Sequence, residues 1–219
     1  MIVGMNMLSL LSTNPLVFVA ILLAFVVSLS VHEFSHALAG KLLGDSTAER
    51  MNRLTLNPLA HIDPWGFLSL LLIGFGWGKP VPFNPYNLKY GQWGPALVAL
   101  AGPASNLVLG AIAAVCAALA YTWFGPTNLL VVFLFYSAVL NFSLMLFNLI
   151  PVAPLDGSAP LLAVFESLGW RQAADWLLRY GPNLLLALVL ADIVLNIHIF
   201  SWISSAAVFL TDLIARVIA

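Results

Sequence analysis

Val31-His32-Glu33-Phe34-Ser35-His36-Ala37 lies within a long apolar run that begins at Asn14-Pro15 and closes at Gly44. Asn14 reads as an N-cap, Pro15 as the first helical residue and Gly44 as the C-terminal stop, so one helix is expected from about Pro15 to Leu43. At ~1.5 Å per residue it is ~43 Å long, enough to cross a bilayer's hydrocarbon and project slightly. Ionisable groups inside such a helix are costly and mark function. On a 3.6-residue turn His32 and His36 stack on one face, and Glu33 projects beside them, within reach of a metal-held water. This is the ligand-and-base spacing of a zinc hydrolase. The same face carries Ser28 and Gly40, a small and polar stripe suited to lining a buried cavity.

Composition supports a membrane setting. The 219 residues are 62% hydrophobic and 8% charged, against about 25% charged in soluble domains, and mean hydropathy is +1.00. A net charge of −1 offers no basic patch for nucleic acid. Cys116 is the single cysteine and reads as a small hydrophobe. The first fifteen residues carry no Lys or Arg, so they lack the basic region of a cleavable signal, and the first span is expected to be retained.

After Gly44 the chain turns polar as far as Trp65, with a short strand expected at Arg53–Leu56. His61 and Asp63 could form a metal pair, but Asp63-Pro64 reads better as turn chemistry. Gly66–Trp77 is apolar yet too short to cross, and is expected to be re-entrant. Lys79-Pro80-Val81-Pro82-Phe83-Asn84-Pro85 is extended, and two readings are open: an edge strand that pairs with a peptide, or a surface loop. A Gly-, Ala- and Ser-rich span from about Pro95 to Phe124 is expected to be a central helix, bent at Gly102-Pro103 and carrying Asn106. Asn128–Ile150 spans back with Asn141 and Asn148.

Pro151 and Pro154 then break the helix, and Asp156 follows beside Gly157, a residue that tolerates unusual backbone angles. An aspartate here is a turn former or a ligand. An amphipathic stretch around Trp170–Tyr180, a span from about Pro182 to Phe200 and a shorter helix to Ala219 complete the chain, with His198 expected at an interface. With the N-terminus outside, and the last two helices crossing out and back, all eight Lys and Arg residues fall on the cytoplasmic side. His32, His36 and Asp156 share that side.

A catalytic zinc takes three protein ligands and leaves one position open. His32, His36 and Asp156 suit it, with Glu33 as general base and Asn148 or Asn106 as a donor to the oxyanion. The chain resembles the site-2 proteases, intramembrane zinc metalloproteases, in their short form without a PDZ or CBS domain. His32-Glu33-Phe34-Ser35-His36-Ala37-Leu38 is similar to the zinc-binding helix of that family. Arg53-Leu54-Thr55-Leu56-Asn57-Pro58 with His61-Ile62-Asp63-Pro64 resembles its loop, Gly102-Pro103 with Asn106 its central helix, and Asn148–Gly157 its Asn-x-x-Pro-x-x-Pro-Leu-Asp-Gly signature. Asn52, where the family commonly has glycine, is a departure that left-handed backbone angles accommodate. Pro160, soon after the signature, is another.

The resemblance implies an all-α polytopic membrane protein with a three-helix catalytic core, further C-terminal helices, and short β or extended re-entrant segments between the first two core helices. It implies one membrane-embedded domain, with the core at about 14–160 and C-terminal helices at about 161–219. The expected cofactor is Zn2+, the third ligand Asp156, and the substrates single-span membrane proteins whose helix must unwind. A multi-pass location in the cell membrane follows. Two rivals share these residues: a metalloprotease using Glu166 as third ligand, and a transporter, channel or non-cleaving helix-binding homologue.

Overall fold

A computed structural model describes residues 7–218, which form nine α-helices: α1 (Met7–Thr13), α2 (Pro15–Leu42), α3 (Thr47–Arg50), α4 (Pro64–Ile73), α5 (Trp93–Phe124), α6 (Leu129–Asn148), α7 (Ser158–Ser167), α8 (Arg171–Leu195) and α9 (Ser201–Ile218). Ala219 lies outside the described residues. The chain is an all-α polytopic membrane protein: α2, α5, α6, α8 and α9 are each long and apolar enough to cross a bilayer.

Local chemistry sets the ends of the core helices. Asn14 Oδ1 accepts from the Val17 amide at 3.4 Å and Pro15 opens α2; Gly44, at φ +109°, follows its last turn. Asn128 caps α6 through the Leu130 amide at 2.9 Å. Gly125, at φ +74°, turns α5 into α6. Because lipid tails are as apolar as leucine, association relies on close packing and polar contacts. Gly110 of α5 supplies the first, lying against the Phe142 ring so closely that a Cβ would stand 3.0 Å from it. Asn106 and Asn141, both fully buried and bonded at 2.7 Å, supply the second. A second cluster packs Phe18, Ile21, Phe25 and Leu29 of α2 against Leu140 of α6 and Leu70 of α4.

The apolar segment after Trp65 is a hairpin whose first arm is α4. Asp63 caps α4 through the Gly66 amide at 2.8 Å, Gly74 ends it at φ +73°, and the chain runs back until Gly78 bridges Ile62. Glycines let the two arms touch: a Cβ at Gly76 would stand 2.5 Å from the Gly66 carbonyl, and one at Gly66 would stand 2.9 Å from the Trp77 ring. Both ends of the hairpin meet at one bridge. The strand expected at Arg53–Leu56 is absent; turns and bends occupy it, and no strand forms among the described residues. Arg53 instead spends its guanidinium on the Lys79 and Pro80 carbonyls, at 2.5 and 3.0 Å, so its own stretch closes locally rather than as a ladder. Asn52 turns this loop at φ +55°.

Two expectations for the C-terminal part are corrected. No new helix starts at Pro182; α8 runs through it, because the preceding Gly181 has no Cβ to clash with the ring and packs directly on Ala153. Nor do all eight basic residues share one end. The start of α9 is held beside the end of α6, with Phe200 and Ile203 against Phe147, and Asp192 of α8 accepts from the Phe200 amide at 3.4 Å. Helix α9 therefore runs toward the α5–α6 turn, where Asp212 and Arg216 line a groove with Tyr121 and Pro126. Arg216 stands at the opposite end from Lys41 and Lys89.

Candidate metal centre

His32 and His36 lie on one face of α2, both buried, with their Nε2 atoms 3.0 Å apart. Neighbours from α5 decide which nitrogen each ring presents. His32 Nδ1 donates to Asn106 Oδ1 at 2.5 Å, and His36 Nδ1 donates to the Val98 carbonyl at 2.9 Å. With the protons held at Nδ1, both Nε2 lone pairs turn inward. Asn106 is fixed in turn: its Nδ2 donates to Asn141 Oδ1 at 2.7 Å and to the Ser28 carbonyl at 3.4 Å. Asn141 Nδ2 donates to Ser28 Oγ and the Ser137 carbonyl, each at 2.7 Å. Both amide hydrogens of Asn106 are spent, so it serves His32 and has none for a substrate oxygen.

Asp156 arrives from the other end of the core. After α6 the chain turns back, and the Gly157 amide donates to the Asn148 carbonyl at 2.6 Å. Gly157 has an ordinary helical φ of −61°, so it is needed for closeness, not for its angles: a Cβ would stand 2.8 Å from the Ile150 carbonyl and nearer still to Leu149. This brings Asp156 Oδ2 to 3.2 Å from His32 Nε2 and 3.4 Å from His36 Nε2. The oxygen is buried with no hydrogen-bond donor. Three possible ligand atoms thus converge within 4.8 Å of one another, an arrangement that is repulsive unless a metal ion or a proton sits among them. Two imidazoles and a carboxylate suit zinc.

Gly102 makes room for this group. A Cβ there would lie 2.5 Å from His36 Cε1 and 2.6 Å from His32 Cε1, so only glycine lets α5 pass over both rings. Helix α5 continues through Pro103. Glu33 is buried on the adjacent face and lines a cavity of about 310 Å³ together with His32 and Asn148. Asn148 donates from Nδ2 to the Leu144 carbonyl at 3.0 Å. Behind Glu33 lies the hairpin base: a Cβ at Gly78 would be 3.2 Å from Glu33 Oε1 and 3.3 Å from the His61 carbonyl. Burial pulls the Arg53 guanidinium below its ordinary pKa, and the Glu33 carboxylate acts in the opposite direction. The sequence gives no sign that Gly78 and Arg53 lie here, because only the tertiary fold brings the loop under α2.

The remaining candidates stand apart. His61 is buried, donating from Nε2 to the Thr55 carbonyl at 2.7 Å, while Asp63 caps α4; neither joins the three-residue group. Glu166 is exposed on α7 and is outside it too. His198 is exposed, with its carbonyl accepting from Ser201 before α9.

Residues 125–189, which include the Asp156 turn, match the model of Peptidase family M50. That is the family of the site-2 proteases, and the matched stretch is similar to it. The chain is 39% identical over 144 residues to "Putative zinc metalloprotease YwhC" of Bacillus subtilis, covering 63% of this chain and 65% of that one. It is 35% identical over 156 residues to "Putative zinc metalloprotease Rip2" of Mycolicibacterium smegmatis, covering 66% of this chain and 57% of that one. The chain thus spans less than two thirds of these relatives' length. No solved structure matches it.

Proposed function

We propose that this chain is an intramembrane zinc metalloprotease of the M50 family that hydrolyses peptide bonds within or near the transmembrane helices of single-span membrane proteins. The observation that carries this reading is the convergence of His32 Nε2, His36 Nε2 and Asp156 Oδ2, with Asp156 Oδ2 buried and without a hydrogen-bond partner. These three would hold zinc, which supplies Lewis acidity when bound, lowering the pKa of water and polarising a carbonyl. Glu33 takes the proton from the attacking water, holds it on its carboxylate and delivers it to the leaving amine. Asn148, at the cavity wall, offers an amide hydrogen to the carbonyl oxygen as charge builds on it. Asn106 keeps the His32 ring in its ligand tautomer.

The depth of the site supports an intramembrane reaction. Exposed Trp93 and Trp123, at the two ends of α5, are ~45 Å apart at ~1.5 Å per residue, the thickness of a bilayer with its interfaces. Gly102, over the two histidines, is ~14 Å inward from Trp93 on the same scale. With Lys41, Arg50, Arg53, Lys79 and Lys89 beyond it, this end faces the cytoplasm and the N-terminus faces outside. A helix keeps its own carbonyls and amides paired, so a substrate can present a peptide group to the buried His32, Glu33 and His36 only where it is unwound.

The test is cleavage of a tagged single-span protein by zinc-loaded parent and Glu33→Gln. A rate loss of roughly 10²–10⁴-fold is expected; equal cleavage by two folded, zinc-loaded proteins overturns the reading.

A further inference from the structure

The cavity beside Glu33 has two unlike ends. His32, Glu33 and Asn148 form the polar one. Away from them the walls are apolar: Phe25 and Leu29 of α2, Phe147 of α6, and Leu185 and Val189 from α8. Helix α8 owes this position to Gly181, which lies against Ala153 of the Asp156 turn, and to Leu185 and Val189, which pack with Leu155 and Phe200. The polar end is kept clear by Gly78, where a Cβ would stand 3.0 Å from Leu29 and 3.2 Å from Glu33 Oε1.

From this continuity we infer that the cavity is the primary specificity pocket, receiving one large apolar side chain of the residue that adjoins the scissile bond, with Val189 of α8 as its floor. The inference rests on the zinc protease reading above. A peptide group held at the polar end directs its neighbouring side chain toward α8, where leucine or phenylalanine loses water-exposed area and a carboxylate finds no partner. Selectivity is then set by α8, outside the residues that do the chemistry.

Binding tests this without requiring turnover. The zinc-loaded full chain in detergent micelles is titrated calorimetrically with the hydroxamates of glycine, leucine, phenylalanine and aspartate, each able to chelate zinc through the same group. Leucine and phenylalanine hydroxamates are expected to bind about tenfold or more tighter than the glycine compound, and the aspartate compound weakest. Val189→Phe, filling the floor, should erase the gain of the leucine and phenylalanine compounds over glycine hydroxamate. Val189→Ala, deepening the floor without overpacking, should raise the phenylalanine-to-leucine affinity ratio, so it carries the test if the larger side chain prevents folding. A series of equal affinities, or a gain unaltered by both substitutions, overturns the pocket. Loss of all hydroxamate binding in the parent, or binding unchanged in Asp156→Ala, instead overturns the metal reading and the pocket with it.

Discussion

His32 and His36 are arranged to serve as a metal pair because α5 presents an acceptor to each Nδ1 and no side chain at Gly102. Gly102→Ala pushes a methyl into both rings, and the purified variant should carry well under one zinc per chain; full occupancy would show that α5 can shift away. Asn106→Ala leaves His32 free to change tautomer. It should weaken zinc about 10- to 100-fold in competition with a chelator, and unchanged affinity would remove Asn106 from the site's support. The histidines and Glu33 were legible in the sequence because one helical turn brings them together. Asn106 and Asn148 were indistinguishable there, since residue type does not say which way an amide points. Their neighbours separate them: Asn106 is saturated by Ser28, Asn141 and His32, whereas Asn148 borders the cavity.

At the level of elements, the loop beneath the site hangs on Asp45. Its buried carboxylate accepts from Thr47 Oγ1 at 2.7 Å, the Thr47 amide at 3.2 Å, the Asn84 amide at 2.7 Å and Asn87 Nδ2 at 3.0 Å, joining the end of α2 to the proline-rich segment. Burial alone would raise its pKa; the four donors outweigh it and hold it below the ordinary aspartate value. The unfolded chain then binds the proton more readily than the folded one, so this stabilisation is complete above about pH 4 and is lost as pH falls through the lower folded value. The thermal midpoint of the parent should fall across that window more steeply than that of Asp45→Asn; parallel curves would contradict the clamp. Helix caps were readable here, as at Asn14 and Gly44, because they are local. The hairpin's two arms were not, because Gly66, Gly76 and Trp77 meet only after Gly74 reverses the chain. A period-two pattern could suggest a strand at Arg53–Leu56, but nothing local revealed that Arg53 would bond to Lys79 and Pro80.

For the whole molecule, composition and apolar runs were enough to read a polytopic helical protein, while the course of α9 was not, since one arginine near a helix end does not fix direction against packing. Phe147, Phe200 and Ile203 fix it. In a Cys116→Ala background, a membrane-impermeant maleimide should label Ser12→Cys and Arg216→Cys from one face and Glu49→Cys from the other; Arg216→Cys labelled with Glu49→Cys would contradict this course. The same assembly makes one site from α2 and from a turn more than a hundred residues later. The most direct measurement is zinc per chain in the purified full-length protein and its single variants. Parent and Glu33→Gln are predicted to hold one zinc each, and His32→Ala, His36→Ala and Asp156→Ala to lose it; a metal-free parent, or Asp156→Ala that keeps its zinc, would contradict the account.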